Sequence, residues 1–163
     1  MYYIDLVKRQ PLLQAYAACV PPEIEGKFAI KKFRSQATIY CKDSELTHVG
    51  ILLSGNYRAI DEQKNGYIYE LEHRKPVAFI GALACLSYAD KTSARFEAVT
   101  DCEIAFLKAS EFDFWLMHDA GFLRKVCLDY TRRFFDFFYT TGAELLYGST
   151  KYLLYKYFLS LLS

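Results

Sequence analysis

Residues 47–107 read THVGILLSGNYRAIDEQKNGYIYELEHRKPVAFIGALACLSYADKTSARFEAVTDCEIAFL. The run is a train of short alternating strands, broken once by the small-residue segment Gly81-Ala82-Leu83-Ala84-Cys85-Leu86. Residues 93–99 alternate cleanly: Ala94, Phe96 and Ala98 fall on one face, Ser93, Arg95 and Glu97 on the other, as in a half-buried strand. Residues 102–107 form the last strand after a turn at Thr100-Asp101. Residues 47–53 and 57–61 flank Ser54-Gly55-Asn56, a turn of the kind that needs positive φ. Lys64-Asn65-Gly66 turns the chain again into 67–71. Turn signals every eight to twelve residues or so argue for an antiparallel roll or jelly roll. A roll interrupted by one helical turn of small residues suits a pocket for an anionic ligand. That points to recognition rather than catalysis.

Outside this run, 28–33 and 37–41 read as further short strands. Residues 3–19 read as a helix that Pro11 breaks or restarts and Pro21-Pro22 ends. Downstream, helices take over. Ser110 is a suitable N-cap, with Asp113 at the third helical position, for a helix running to about His118. Gly121 opens a long aromatic helix to Tyr147, Gly148 stops it, and Ser149 caps a final helix. The fold class expected is α+β: an antiparallel β-roll of the double-stranded jelly-roll type, flanked by an N-terminal helix and a long C-terminal helix. The expected division is 1–120 for the roll with its N-terminal helix, 121–148 for the long helix and 149–163 for the start of something further.

The composition supports a folded chain. Of 163 residues, 53% are hydrophobic and 24% charged, which excludes a disordered polymer. Fourteen Tyr and thirteen Phe predict large buried contact areas, a subunit interface among them. The net charge of +1 gives no strong global field for nucleic acid. No apolar run approaches about 18 residues, so no membrane span is expected. Residues 1–7 lack a signal-peptide pattern, and the expected location is the cytoplasm. The apolar stretch 152–162 is interrupted by Lys156 and reads as a helix that expects a partner.

Cys19, Cys41, Cys85, Cys102 and Cys127 are scattered, odd in number and without a CxxC pair. Reduced and mostly buried thiols are expected. His48, His73 and His118 lie far apart, without the His-x-His and carboxylate pattern of a roll-shaped metalloenzyme. No signature places a cysteine beside a base. Neither an enzyme nor a metal site is expected.

Four segments occur in a fixed order: Gly50-Ile51-Leu52-Leu53-Ser54-Gly55, Phe79-Ile80-Gly81-Ala82-Leu83, Ser93-Ala94-Arg95-Phe96-Glu97-Ala98 and Cys102-Glu103-Ile104-Ala105-Phe106-Leu107. In order and spacing they make 28–163 resemble the cyclic-nucleotide-binding-like effector domain of the Crp/Fnr family of bacterial transcription regulators. The resemblance implies a β-roll with a short helix inside it and a long helix that pairs with its twin in a dimer. A winged helix-turn-helix would follow. On this reading 149–163 begins a truncated DNA-binding domain. The implied partners are a second copy and, through a domain missing from this chain, DNA.

In family members that bind cyclic nucleotides, the short helix turns backbone N–H groups toward the phosphate. Gly81, Ala82 and Leu83 stand where those members have Gly-Glu-Leu, and Ala82 cannot accept from a ribose hydroxyl as the Glu does. Thr92-Ser93 stands where they have Arg-Ser, so Ser93 keeps a hydroxyl but the forked cation is gone. Lys91 and Arg95 are the cations nearby. Phe137 and Phe138 match the base-contacting Thr-Ser of the long helix; they can stack on a base but not hydrogen-bond its edge. The candidate pocket is therefore Gly81, Ala82, Leu83, Lys91, Thr92, Ser93, Arg95, Phe137 and Phe138. Ordinary cyclic AMP binding is not expected, and no cofactor is. Two alternatives stay open: another small effector in a remodelled pocket, or a pocket filled by side chains in a roll that serves only to dimerise. The iron–sulfur branch of the family uses an N-terminal cysteine cluster, whereas only Cys19 lies near that end here.

On the long helix Val126, Tyr130, Phe134, Phe137 and Thr141 trace one stripe at helical spacing. Phe135, Phe138 and Leu145 widen it. This stripe is the expected dimer interface.

Overall fold

The computed structural model describes residues 1–62, 66 and 68–146, with side chains as far as Tyr139. In chain order the elements are α1 (Tyr3–Arg9), β1 (Ala29–Phe33), β2 (Thr38–Tyr40), β3 (His48–Ser54), β4 (Tyr57–Glu62), β5 (Ile68–Arg74), β6 (Ala78–Ile80), α2 (Ala82–Leu86), β7 (Arg95–Ala98), β8 (Cys102–Lys108), α3 (Ala109–His118) and α4 (Ala120–Leu146). Two four-stranded sheets form, ordered β1-β8-β3-β6 and β2-β7-β4-β5, and every strand pair is antiparallel. This is the expected roll, with a long helix after it. The chain divides into two compact units, Met1–Leu123 and a second from Arg124 onward.

The first sheet is covered on both faces, so β3 is buried at each position from Val49 to Leu53. Its alternate side chains belong to two cores. Leu52 joins Tyr57, Ala59, Ala78, Ile80, Ala94, Phe96, Ala98, Cys102, Ile104 and Phe106 in the interior of the roll. On the other face, Phe79 from β6, paired with Ile51, meets Phe112 at 6.0 Å and Phe122 at 5.7 Å. Trp115 stacks on Phe122 at 3.9 Å and takes the edge of Tyr3 at 5.6 Å. Burial of these rings, with that of the roll interior, stabilises the first unit.

Gly50 shows how tightly the roll is filled. A Cβ there would lie 2.9 Å from Ile104 Cγ2 and 3.1 Å from Phe106 Cε1, so the absent side chain is what admits the Phe106 ring. The turn at Gly55 does adopt positive φ, +83°.

The structure corrects several local expectations. α1 ends at Arg9, and Pro11 opens a short 3-10 helix to Ala15. The helix expected to start at Ser110 starts at Ala109, because β8 runs directly into it. Lys108 is its N-cap residue, and Glu111, three positions on, accepts from the Lys108 N–H at 3.3 Å. α4 begins at Ala120 rather than Gly121, with the Asp119 carboxylate accepting from the Phe122 N–H at 2.9 Å. Side-chain oxygens claim the orphan amides in both cases. The thiols are not mostly buried: Cys85 and Cys102 are, Cys127 is half-buried, and Cys19 and Cys41 are exposed. The Lys64-Asn65 part of the expected turn, the Gly148 stop and the segment 149–163 lie outside the described residues.

Candidate functional site

The small-residue segment folds as read. Gly81 takes φ +84°, a left-handed conformation that glycine adopts without strain, and turns β6 into α2. Ala82 and Cys85 face inward and are buried, whereas Leu83 is exposed. A Cβ on Gly81 would meet Leu46 Cδ1 at 2.7 Å, so the segment joining β2 to β3 lies against this turn.

The roll interior holds aromatic rings. Tyr40 contacts Phe96 at 6.4 Å and Phe106 at 6.1 Å, and Tyr57 contacts Phe96 at 5.9 Å. Phe33 packs on Phe106 at 6.1 Å. The phenols are satisfied at the rim: Tyr40 donates to the His48 carbonyl and Tyr57 to the Glu72 carboxylate, each at 2.8 Å. Burial pushes the Tyr40 phenol up to about 12, as expected for a group whose charged form is desolvated.

Thr92 is 2% exposed. Its hydroxyl donates to the Cys41 carbonyl at 2.6 Å and lies 3.1 Å from Ser44 Oγ. Its backbone N–H donates to the Ser44 carbonyl, and its carbonyl accepts from Asp43. Lys91 and Ser93 on either side are exposed. Arg95 lies on the strand face away from Ala94, Phe96 and Ala98. There it donates to Glu97 Oε2 at 3.2 Å, while Arg58 donates to Glu97 Oε1 at 2.7 Å. The side chains of Ala94, Phe96 and Ala98 reach the roll interior; those of Ser93 and Arg95 belong to the opposite face.

Phe137 and Phe138 lie in the second unit, 50% and 60% exposed. Along the same helix Val126 is buried, Tyr130 half-buried and Phe134 65% exposed. Phe134 stacks on Phe138 at 6.3 Å. The side chain of Thr141 is outside the described residues.

Sequence reading missed Tyr40, Ser44 and Leu46. Their partners lie across the fold, as with the 48 residues between Ser44 and Thr92. The one local signal is the polar run Cys41-Lys42-Asp43-Ser44, which turns through a positive φ of 60° at Asp43. Outside the roll, an open cleft of about 420 Å³ is lined by Glu45, Leu46, Cys85, Tyr88, Asp90 and Asp113 among others. Burial pushes the Cys85 thiol up to about 11, with Asp113 adding to the shift. Among the described residues no group of three His, Cys, Asp or Glu is placed to hold a metal. No described helix is long and apolar enough to cross a membrane.

The sequence profile of the cyclic nucleotide-binding domain matches residues 30–119. No curated protein matches the chain. Among solved structures, the c-di-GMP-responsive global regulator CLP of Xanthomonas campestris superposes with a TM-score of 0.67 at 14% identity, over 86% of this chain and 63% of its own. The catabolite activator protein of Thermus thermophilus gives 0.62 at 16%, over 85% and 59%. A transcriptional regulator from Thermotoga maritima gives 0.60 at 22%, over 74% and 96%. At these identities the likeness establishes the fold. The chain spans less than two thirds of the length of the Xanthomonas and Thermus proteins.

Proposed function

We propose, from the premise that this chain belongs to the cyclic nucleotide-binding domain family, that it is the regulatory domain of a Crp/Fnr-type bacterial transcription regulator. It works in the cytoplasm as a homodimer joined along α4, and the regulator meets DNA through the helix-turn-helix that such proteins carry. It does not bind cyclic AMP at the family's anchors. Instead, the self-filled roll acts as a dimerisation scaffold. The observation that carries this reading is Thr92. The position of the phosphate-pairing arginine is held by a buried hydroxyl already committed to Cys41 and Ser44. Ala82 removes the ribose acceptor, and Tyr40, Tyr57, Phe96 and Phe106 supply the bulk inside.

A second reading, sensing of a different small effector, is supported by the cleft beside α2. Sedimentation and thermal melting separate the two. A dimer whose melting temperature is unmoved by cyclic nucleotides, aromatic acids, haem and a metabolite extract supports the scaffold. A saturable rise with one compound outside the cyclic nucleotides supports the effector reading, since ligand bound to the native state alone stabilises it. A chain that stays monomeric at high concentration contradicts both.

A further inference from the structure

Residues 41–47 pass across the start of α2, and Leu46 sits against Gly81. This strap contributes little to either core. Cys41, Lys42, Asp43, Glu45 and Thr47 are exposed, while Ser44 and Leu46 are half-buried. It is fastened instead by polar contacts, most of them to one short stretch of chain, with the Thr47 carbonyl accepting from the Ala109 N–H at 2.9 Å at its far end. Asp43 N–H donates to the Thr92 carbonyl, Thr92 N–H to the Ser44 carbonyl and Leu46 N–H to the Asp90 carbonyl, each at 2.9 Å. The last two of these bonds make an antiparallel bridge that sets Glu45 opposite Lys91. Two hydroxyls converge on the Cys41 carbonyl, Thr92 Oγ1 at 2.6 Å and Ser44 Oγ at 2.7 Å, and the Ser44 N–H points to the same oxygen at 3.3 Å. Lys42 also reaches Asp61, but that pair is solvent-exposed and contributes little. Segments held by few apolar contacts and by exposed backbone bonds open locally, well below the free energy of global unfolding. Thr92, 2% exposed, supplies three of these fastenings, through its N–H, its carbonyl and its hydroxyl, and the hydroxyl bond is the shortest of them.

We infer that the 41–47 strap is a lid on the α2 turn, pinned shut by the Thr92 hydroxyl, and that it opens as a unit without disturbing the sheets. When it lifts, Leu46 leaves Gly81, and one wall of the cleft over Cys85 goes with it. The inference deepens the reading of this domain as a regulatory one by naming its moving part. It does not depend on which ligand, if any, the domain takes.

Hydrogen exchange and thiol labelling of the intact chain test it. Thr92→Val keeps the shape and removes the pin. The amides of Asp43, Leu46 and Thr92 should then exchange at least tenfold faster, with β3 and β8 unchanged. Cys85 should be alkylated at least tenfold faster by iodoacetamide at pH 8. Thr92→Ser, which keeps the hydroxyl, should match the wild type. Ser44→Ala removes the second hydroxyl on Cys41 and should give a smaller rise at the same amides; it also serves if Thr92→Val does not fold. Unchanged exchange in both hydroxyl-deleting variants overturns the lid. So does an equal acceleration in β3 and β8, which would make the contact a global staple. A cyclic nucleotide binding the wild type would defeat the proposed function and leave these exchange results standing.

Discussion

Thr92 Oγ1 donates to the carbonyl oxygen of Cys41 over 2.6 Å, from a side chain 2% exposed. That bond ties the segment before β3 to the segment before β7. In the proposed reading it also fills the position that cyclic-nucleotide-binding members of the family give to a phosphate partner. Putting the arginine back should therefore not restore a site. Thr92→Arg forces a guanidinium into the place of a hydroxyl that is 2% exposed and already bonded to Cys41. An unpaired buried charge costs about 3–5 kcal/mol, and urea unfolding should show a loss of that order. A variant as stable as the wild type would mean that the site is open to solvent.

Packing of the roll interior predicts a coupled pair. Gly50→Ala overpacks against Ile104 and Phe106 and should cost about 1–3 kcal/mol. Phe106→Ala leaves a cavity and should cost about 3–5 kcal/mol. Because the new methyl at residue 50 enters the space the ring vacates, the double variant should lose less than the sum. Strict additivity in denaturant titrations would show that the two do not share space.

The exposed rings of α4 predict an association defect. Phe134 and Phe138 are 65% and 60% exposed and stack on each other. Converting both to Glu places like charges on the proposed interface and should weaken self-association at least tenfold in sedimentation equilibrium. The emission of Trp115, the single tryptophan, should stay as it is, because its ring is packed on Phe122 inside the first unit. An unchanged association constant would remove α4 from the interface.

Alkaline pH should destabilise the chain. Burial raises the Cys85 thiol from 9.0 to about 11 and the Tyr40 phenol from 10.0 to about 12. In the unfolded chain both groups lose their protons first, so the folded state holds them more tightly. The stability they contribute is fully present below about pH 9 and is lost as pH rises through about 11 and 12. Unfolding free energies measured between pH 8 and 11.5 should fall, and Cys85→Ala should flatten the lower part of the decline. A flat profile would contradict the buried state of these groups.

Much of the architecture was legible because it rests on period and turn chemistry. The alternation of Ala94, Phe96 and Ala98 against Arg95 and Glu97 is a two-residue rhythm that survives into the sheet. Gly55 and Gly81 mark backbone conformations that few other residues adopt. Helix starts were less legible. Ser110 has the right side chain for a cap, but β8 continues straight into α3 and leaves that role to Lys108 and Glu111. The contents of the roll were not legible at all. Tyr40 looks like any strand aromatic until the fold brings Phe96 and Phe106 to it, and Thr92 looks like any loop hydroxyl until Cys41 and Ser44 arrive. Single positions could be compared with the family's pattern, whereas the partners these side chains take here lie about fifty positions away.

Calorimetric titration of the full chain with cyclic AMP is the most direct measurement. A roll already occupied by its own side chains, without the arginine and the glutamate, should give no saturable heat up to millimolar nucleotide and no shift in melting temperature. Saturable binding at micromolar concentration, or a rise in stability that grows with the logarithm of nucleotide concentration, would contradict the account.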